Sequence, residues 1–145
     1  MFHYLSNNRM RDINFIMEDA LSFDGNTGPY AQYTYARTCS ILEKAGECGK
    51  TMTDASLSEL EVELAKTIAI FPERVNSAIA DYEPSVITRY ILDLCAAFNR
   101  FYHECSIVNC EDEKLRESRI ALTRATNQIL RTALHLICMQ SPEKI

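Results

Sequence analysis

The chain has 145 residues, 47% of them hydrophobic, with 15 Lys/Arg against 20 Asp/Glu and a formal net charge of -5. That length suits one domain able to bury about two-thirds of the surface its unfolded form exposes, and the acidic balance excludes a nucleic-acid binder that works through a general coat of positive charge. The excess acid is local: residues 1–50 carry 5 Lys/Arg and 6 Asp/Glu, residues 51–83 carry 2 and 7, and residues 84–145 carry 8 and 7. Any phosphate-facing surface is therefore expected from the two flanks, with the acidic middle turned away.

Residues 1–25 scatter Phe2, Tyr4, Ile13, Phe15 and Ile16 among polar residues without a sustained helical period. They read as an extended or irregular lead-in with one short strand at most, and so abrupt a beginning reads as the excised end of a longer protein. From Ser22 to Arg37 the chain carries Gly25, Asn26 and Gly28 for a tight turn, then Pro29, which suits the first turn of a helix. A helix is predicted from Pro29 to about Ala45, stopped by Gly46 and Gly49. Tyr30, Tyr33 and Arg37 fall at i, i+3 and i+7, placing two phenol rings and a guanidinium on one face that could stack bases or, as tyrosines at helical spacing more often do, pack half in a core.

Ser56 with Glu59 makes a capping box for a second helix, whose stripe of Leu57, Leu60, Leu64 and Phe71 is interrupted by Pro72. A short helix carrying Val75, Ile79 and Tyr82 is predicted to restart there. Pro84 opens the strongest periodic segment, with Ile87, Ile91, Leu94, Phe98, Phe101, Cys105 and Val108 in steps of four and three. After the acidic turn Glu111, Asp112 and Glu113, a last helix runs to about Met139, and Pro142 closes a tail ending at Ile145. The predicted fold is all-α: an antiparallel bundle of about five helices behind an irregular lead-in.

Other chemistries find little support. Gly49, Lys50 and Thr51 imitate the end of a phosphate-binding loop, but Lys44 stands where its first glycine belongs and no strand precedes it. Gly25 to Gly28 is a turn before it is a backbone clamp. His103 and Glu104 have no accompanying nucleophile, so no catalytic residue is assigned. The six cysteines contain no Cys-x-x-Cys pair, and neither a disulfide framework nor a metal site is expected; Cys95, Cys105 and Cys138 read as packed and inert, and His135 as a core or boundary residue. No apolar run approaches the ~18 residues of a membrane span, and no signal-like apolar region opens the chain, so a soluble, cytoplasmic protein without a membrane partner is expected.

The run Ala20 to Tyr33, with Gly25, Asn26, Thr27, Gly28, Pro29 and Tyr30 at its core, followed by Ala36 and Arg37, resembles arginyl-tRNA synthetases at the entry to their C-terminal anticodon-binding domain. The likeness continues through Phe101 to Glu104, through Arg119, Ala121 and Leu122, and to Pro142, Glu143 and Lys144. It implies an all-helical anticodon-binding domain of the DALR type over residues 26–145, with residues 1–25 as the tail of an upstream class I catalytic region. The two ATP-binding signatures of that class are absent, so this chain alone is expected to need no cofactor and to be inactive, while the parent enzyme would use ATP and magnesium to charge arginine tRNA.

Anticodon contacts implied by the resemblance fall at Tyr30, Tyr33, Tyr102 and Ile145, with Arg37 as a tRNA backbone contact. Partners so implied are the anticodon loop of arginine tRNA and the missing catalytic domain. The chain differs from many members in ending at Ile145 in place of methionine and in carrying Tyr35 in place of histidine. The alternative from a different class is a helical protein-interaction module that docks another chain on its acidic middle and apolar stripes.

Overall fold

The computed structural model describes every residue except 8–9, 11, 13–15, 23–24, 50 and 53. Among the described residues seven helices follow one another: α1 (Phe2–Leu5), α2 (Met17–Leu21), α3 (Gly28–Ala45), α4 (Glu59–Ala69), α5 (Phe71–Ala80), α6 (Ser85–Glu104) and α7 (Glu113–Leu136). Among the described residues there is no strand. The lead-in, expected to be extended or irregular, carries two short helices and no strand among its described residues. Phe2 is buried, and Thr88 Oγ1 of α6 donates to the Leu5 carbonyl at 2.7 Å, so α1 gains from tertiary contacts what its local sequence lacks.

α3 begins and ends where the residues dictate. The Thr27 hydroxyl accepts from the Tyr30 N–H at 3.2 Å, Pro29 sits in the first turn, and Gly46 stops the helix at a φ of 61°. The capping box of α4 is formed by Ser58 and Glu61, two residues beyond the pair expected. Leu57 thus lies outside the helix, and Glu61 takes the N3 position because its carboxylate also meets Arg119 of α7.

α6 is the centre of the domain, packing on α3, α4, α5, α7 and α1. Its stripe of Ile91, Leu94, Phe98 and Phe101 is fully buried, as its four-and-three spacing predicts. α7 lies antiparallel to α3, since Gln32 meets Gln140, Thr38 meets Asn127 and Cys48 meets Arg124. α4 is antiparallel to α6 through Glu63 with Arg100 and Thr67 with Tyr90. α3 crosses α6 where Asn99 reaches Tyr30, Thr34 and Arg37, and Tyr102 meets Arg37.

Two residues read as helical or packed prove to be helix stops. Tyr82 (φ 50°) and Cys138 (φ 57°) are both exposed and left-handed. In each case the following N–H returns to a carbonyl of the helix end: Glu83 to Ala78 at 3.0 Å and Met139 to Leu134 at 2.9 Å. These are Schellman closures, which release the chain sharply from α5 and α7 without a glycine.

Candidate nucleic-acid interface

Tyr33 and Arg37 are one helical turn apart on α3, and Tyr102 reaches the same point from the last turn of α6. The Arg37 guanidinium carbon lies over both rings, 4.8 Å from the Tyr33 centroid and 4.8 Å from that of Tyr102. Both distances are well inside the range in which a cation is held by an aromatic face. Tyr33 is 45% exposed and Tyr102 39%, so the rings remain open to solvent while sharing the cation. Tyr102 also stacks beside the fully buried Phe98, with centroids 6.4 Å apart at 24°, which steadies it from below.

Behind the rings a carboxamide joins α6 to α3. Asn99 Oδ1 accepts from Arg37 Nη1 at 2.6 Å, while its Nδ2 donates to Tyr30 Oη at 2.9 Å and Thr34 Oγ1 at 3.2 Å. Tyr30, Tyr33, Arg37 and Tyr102 are thereby brought into one cluster. Tyr30 differs from the reading in which it stood in line with Tyr33: it is half-buried, packed against the core, and linked to the others through its hydroxyl. The seven-residue step from Tyr30 to Arg37 places them on one face, but α6 presses on the Tyr30 end and leaves Tyr33 free. Tyr35 is 3% exposed and belongs wholly to the core, where burial raises its phenol above the usual range.

A groove of about 580 Å³ adjoins the cluster, lined by Tyr30, Leu60, Ala96, Asn99, Arg100, His103 and Glu104. Leu60 belongs to α4, and Glu63 of the same helix pairs with Arg100 at 2.5 Å. The acidic middle is therefore not turned away, since one of its helices forms a wall of this groove and neutralises one of its cations. A second recess, about 280 Å³, has Tyr102 in its wall with Ile41, Lys44, Ser106 and Asn109.

Ile145 is exposed at the chain end and takes no part in these hydrogen bonds or ring contacts. Its tail is tied to α3, because Gln32 Nε2 donates to the Gln140 carbonyl at 2.9 Å. Beside the tail lies a recess of about 530 Å³ lined by Arg131, Thr132, His135, Met139 and Gln140. His135 is exposed there, contrary to the core or boundary place expected of it. His103 and Glu104 are exposed neighbours, and no group of three or more His, Cys, Asp or Glu is placed to hold a metal ion among the described residues.

Asn99 is the residue that sequence reasoning missed. Its one signal was position: it precedes Tyr102 by three on a helix, so the two share a face. Nothing local distinguishes it from a solvated asparagine, because all three of its α3 partners lie more than sixty residues away.

Residues 31–145 match the profile of the DALR anticodon binding domain. The chain belongs to this family. Within it, this DALR domain is 43% identical over 146 residues to an arginine–tRNA ligase of Clostridium botulinum, with all of the chain aligned to 26% of that protein. It is 34% identical to the arginyl-tRNA synthetase of Thermus thermophilus, whose structure matches with a TM-score of 0.93 over 99% of this chain and 25% of that one. The arginyl-tRNA synthetase of Plasmodium falciparum matches with a TM-score of 0.84 at 25% identity, over 99% of this chain and 26% of that one. The chain thus spans about a quarter of the length of the relatives it matches. No helix among the described residues of the DALR domain is long and apolar enough to cross a membrane.

Proposed function

We propose that the chain is the anticodon-reading part of an arginine–tRNA ligase, and that Tyr33, Arg37 and Tyr102, backed by Tyr30, receive the anticodon loop of arginine tRNA. The observation that carries the reading is the pair of half-exposed tyrosines sharing one guanidinium on a domain of the DALR family. A single-stranded loop is read by splaying its bases, stacking them on aromatic rings at about 1–3 kcal/mol each, and hydrogen-bonding their edges. Tyr33 and Tyr102 supply faces, while the groove beside Tyr30 supplies donors and acceptors on Arg100 and His103.

All arginine codons share a central guanine, so the central cytosine of the anticodon is the base this surface is suited to read. A wrong base there would leave buried polar groups unpaired. Ile145, at the end of a tail tied beside α3, serves as a further contact at the rim. Residues 1–25 are the end of the catalytic region, and residues 26–145 the recognition domain. In this reading ATP and magnesium are used by the rest of the polypeptide, in the cytoplasm, and this chain alone does not activate arginine.

The test is a titration of the chain with a labelled arginine tRNA and with the same tRNA changed at the central anticodon base. Tighter binding of the unchanged tRNA is expected. Equal affinities would overturn base reading, and a stable dimer with no RNA affinity at low salt would favour a protein-docking module instead.

A further inference from the structure

We propose that Asn99 is a positioning residue for RNA recognition: its carboxamide anchors the Arg37 guanidinium over Tyr33 and Tyr102 so that its remaining N–H donors take an RNA phosphate. The proposal rests on the anticodon-binding reading above.

The orientation of the carboxamide is determined from behind. Thr34 is fully buried and donates its hydroxyl hydrogen to the Tyr30 carbonyl at 3.0 Å, so towards Asn99 it can only accept. Nδ2 must therefore face Thr34 and Tyr30, which turns Oδ1 towards Arg37 Nη1. One of the five N–H donors of the guanidinium is used in this way, and two tyrosine faces cover it. With the rings taking its faces, Arg37 is not a surface on which a base stacks; what it offers is its edge, in the planar fork that suits a phosphate.

The choice of a neutral partner matters. Arg100 and Arg119 are each paired with a glutamate, so their charge is cancelled locally. Arg37 is held by an amide, and no carboxylate pairs with it among the described residues. It is anchored and still fully cationic, the combination that anion binding requires.

The experiment measures the affinity of this chain for a labelled arginine anticodon stem-loop across a series of salt concentrations. Asn99→Ala is expected to weaken binding about ten-fold at low salt, the effect of losing one hydrogen-bonded, charge-bearing contact. It should also make the slope of log K against log salt shallower by about 0.7, the value for one phosphate on a single strand. Arg37→Ala should do the same, and the double variant should be no weaker than either.

Asn99→Asp supplies the second arm, because a carboxylate keeps the hold on Nη1 but cancels the charge. It should lose the same slope while the Arg37 side-chain N–H resonances keep the ring-current shift that Asn99→Ala abolishes. A wild-type slope in either Asn99 variant, or losses that add in the double variant, would overturn the proposal and leave anticodon reading standing. Failure of the unsubstituted chain to prefer the cognate stem-loop would instead overturn the reading on which it rests.

Discussion

The Glu61 carboxylate accepts from Arg119 Nε at 2.5 Å, with the two side chains only 1% and 13% exposed, and the same carboxylate accepts from the Ser58 N–H at 2.5 Å to cap its own helix. One residue thus starts α4 and fastens it to α7. Removing one partner of a buried pair leaves the other charged and unpaired, at a cost of about 3–5 kcal/mol. Glu61→Ala is expected to lower the stability of the chain by about that amount in urea unfolding, whereas Arg100→Ala, which breaks a half-exposed pair with Glu63, should cost no more than about 1 kcal/mol. Equal effects would show that burial does not decide the worth of these pairs.

The same pair predicts an acid-side pH dependence. Burial acts to raise the Glu61 carboxyl, but the hydrogen bonds from Arg119 and Ser58 outweigh it and hold the group below its ordinary value. A carboxylate lowered on folding binds its proton more readily when unfolded, so its stabilisation is fully present above the unfolded value of about 4.3 and is lost as pH falls through the folded one. The gap in urea midpoint between the unsubstituted chain and Glu61→Gln should therefore close steadily below about pH 4. A constant gap down to the acid limit would contradict the coupling.

Tyr82 and Cys138 occupy left-handed backbone at helix stops, where a side chain costs about 1 kcal/mol that glycine avoids. Tyr82→Gly and Cys138→Gly are each expected to raise stability by about 1 kcal/mol, read as an increase in Tm. Gly49→Ala should act oppositely and more strongly, since an added Cβ would lie 2.2 Å from Ile120 Cγ2 with φ at 70°.

Thiol reactivity should separate the cysteines. Cys95 is fully buried, and burial pushes its thiol up to about 12. Cys138 is exposed. With a disulfide reagent at pH 8, Cys138 should react first and Cys95 only as fast as the domain opens. Because the Cys95 value is raised on folding, its contribution is whole below the unfolded value of about 8.5 and declines as pH rises from there towards about 12. Rapid labelling of Cys95 in the folded chain would refute its burial.

The exposed rings should be separable from the buried one. Tyr33→Ala and Tyr102→Ala are expected to weaken anticodon stem-loop binding by about 1–3 kcal/mol while the helical circular dichroism holds. Tyr30→Ala, which opens a gap against the core, should also lower the unfolding midpoint, and Tyr30→Phe should not do so by more than about 1 kcal/mol. Collapse of the fold in Tyr102→Ala would make that ring a packing residue.

Much of this domain was legible residue by residue. Pro29 and Gly46 bound α3 through backbone conformations that those residue types favour wherever they stand, and the stripe of α6 follows from helical period alone. The motif around Gly28 and Tyr30 carried the family, which the match over residues 31–145 bears out. The lead-in was less legible, because α1 is a single turn sustained by a bond from Thr88 that no local pattern announces.

What the sequence by itself determined, then, is where helices α3, α6 and α7 begin, which face of α6 is apolar, and which tyrosines stand near one another along the chain. Only the tertiary structure decided that α4 starts at Ser58, since Glu61 answers to Arg119 fifty-eight residues away, and that Tyr30 turns inward while Tyr33 stays exposed. It also decided that Arg37 is held by Asn99 and Tyr102 from another helix. The physical reason is common to all three: caps and periods depend on a few bonded neighbours, whereas charge pairing and ring contacts depend on which side chains packing brings within a few ångströms.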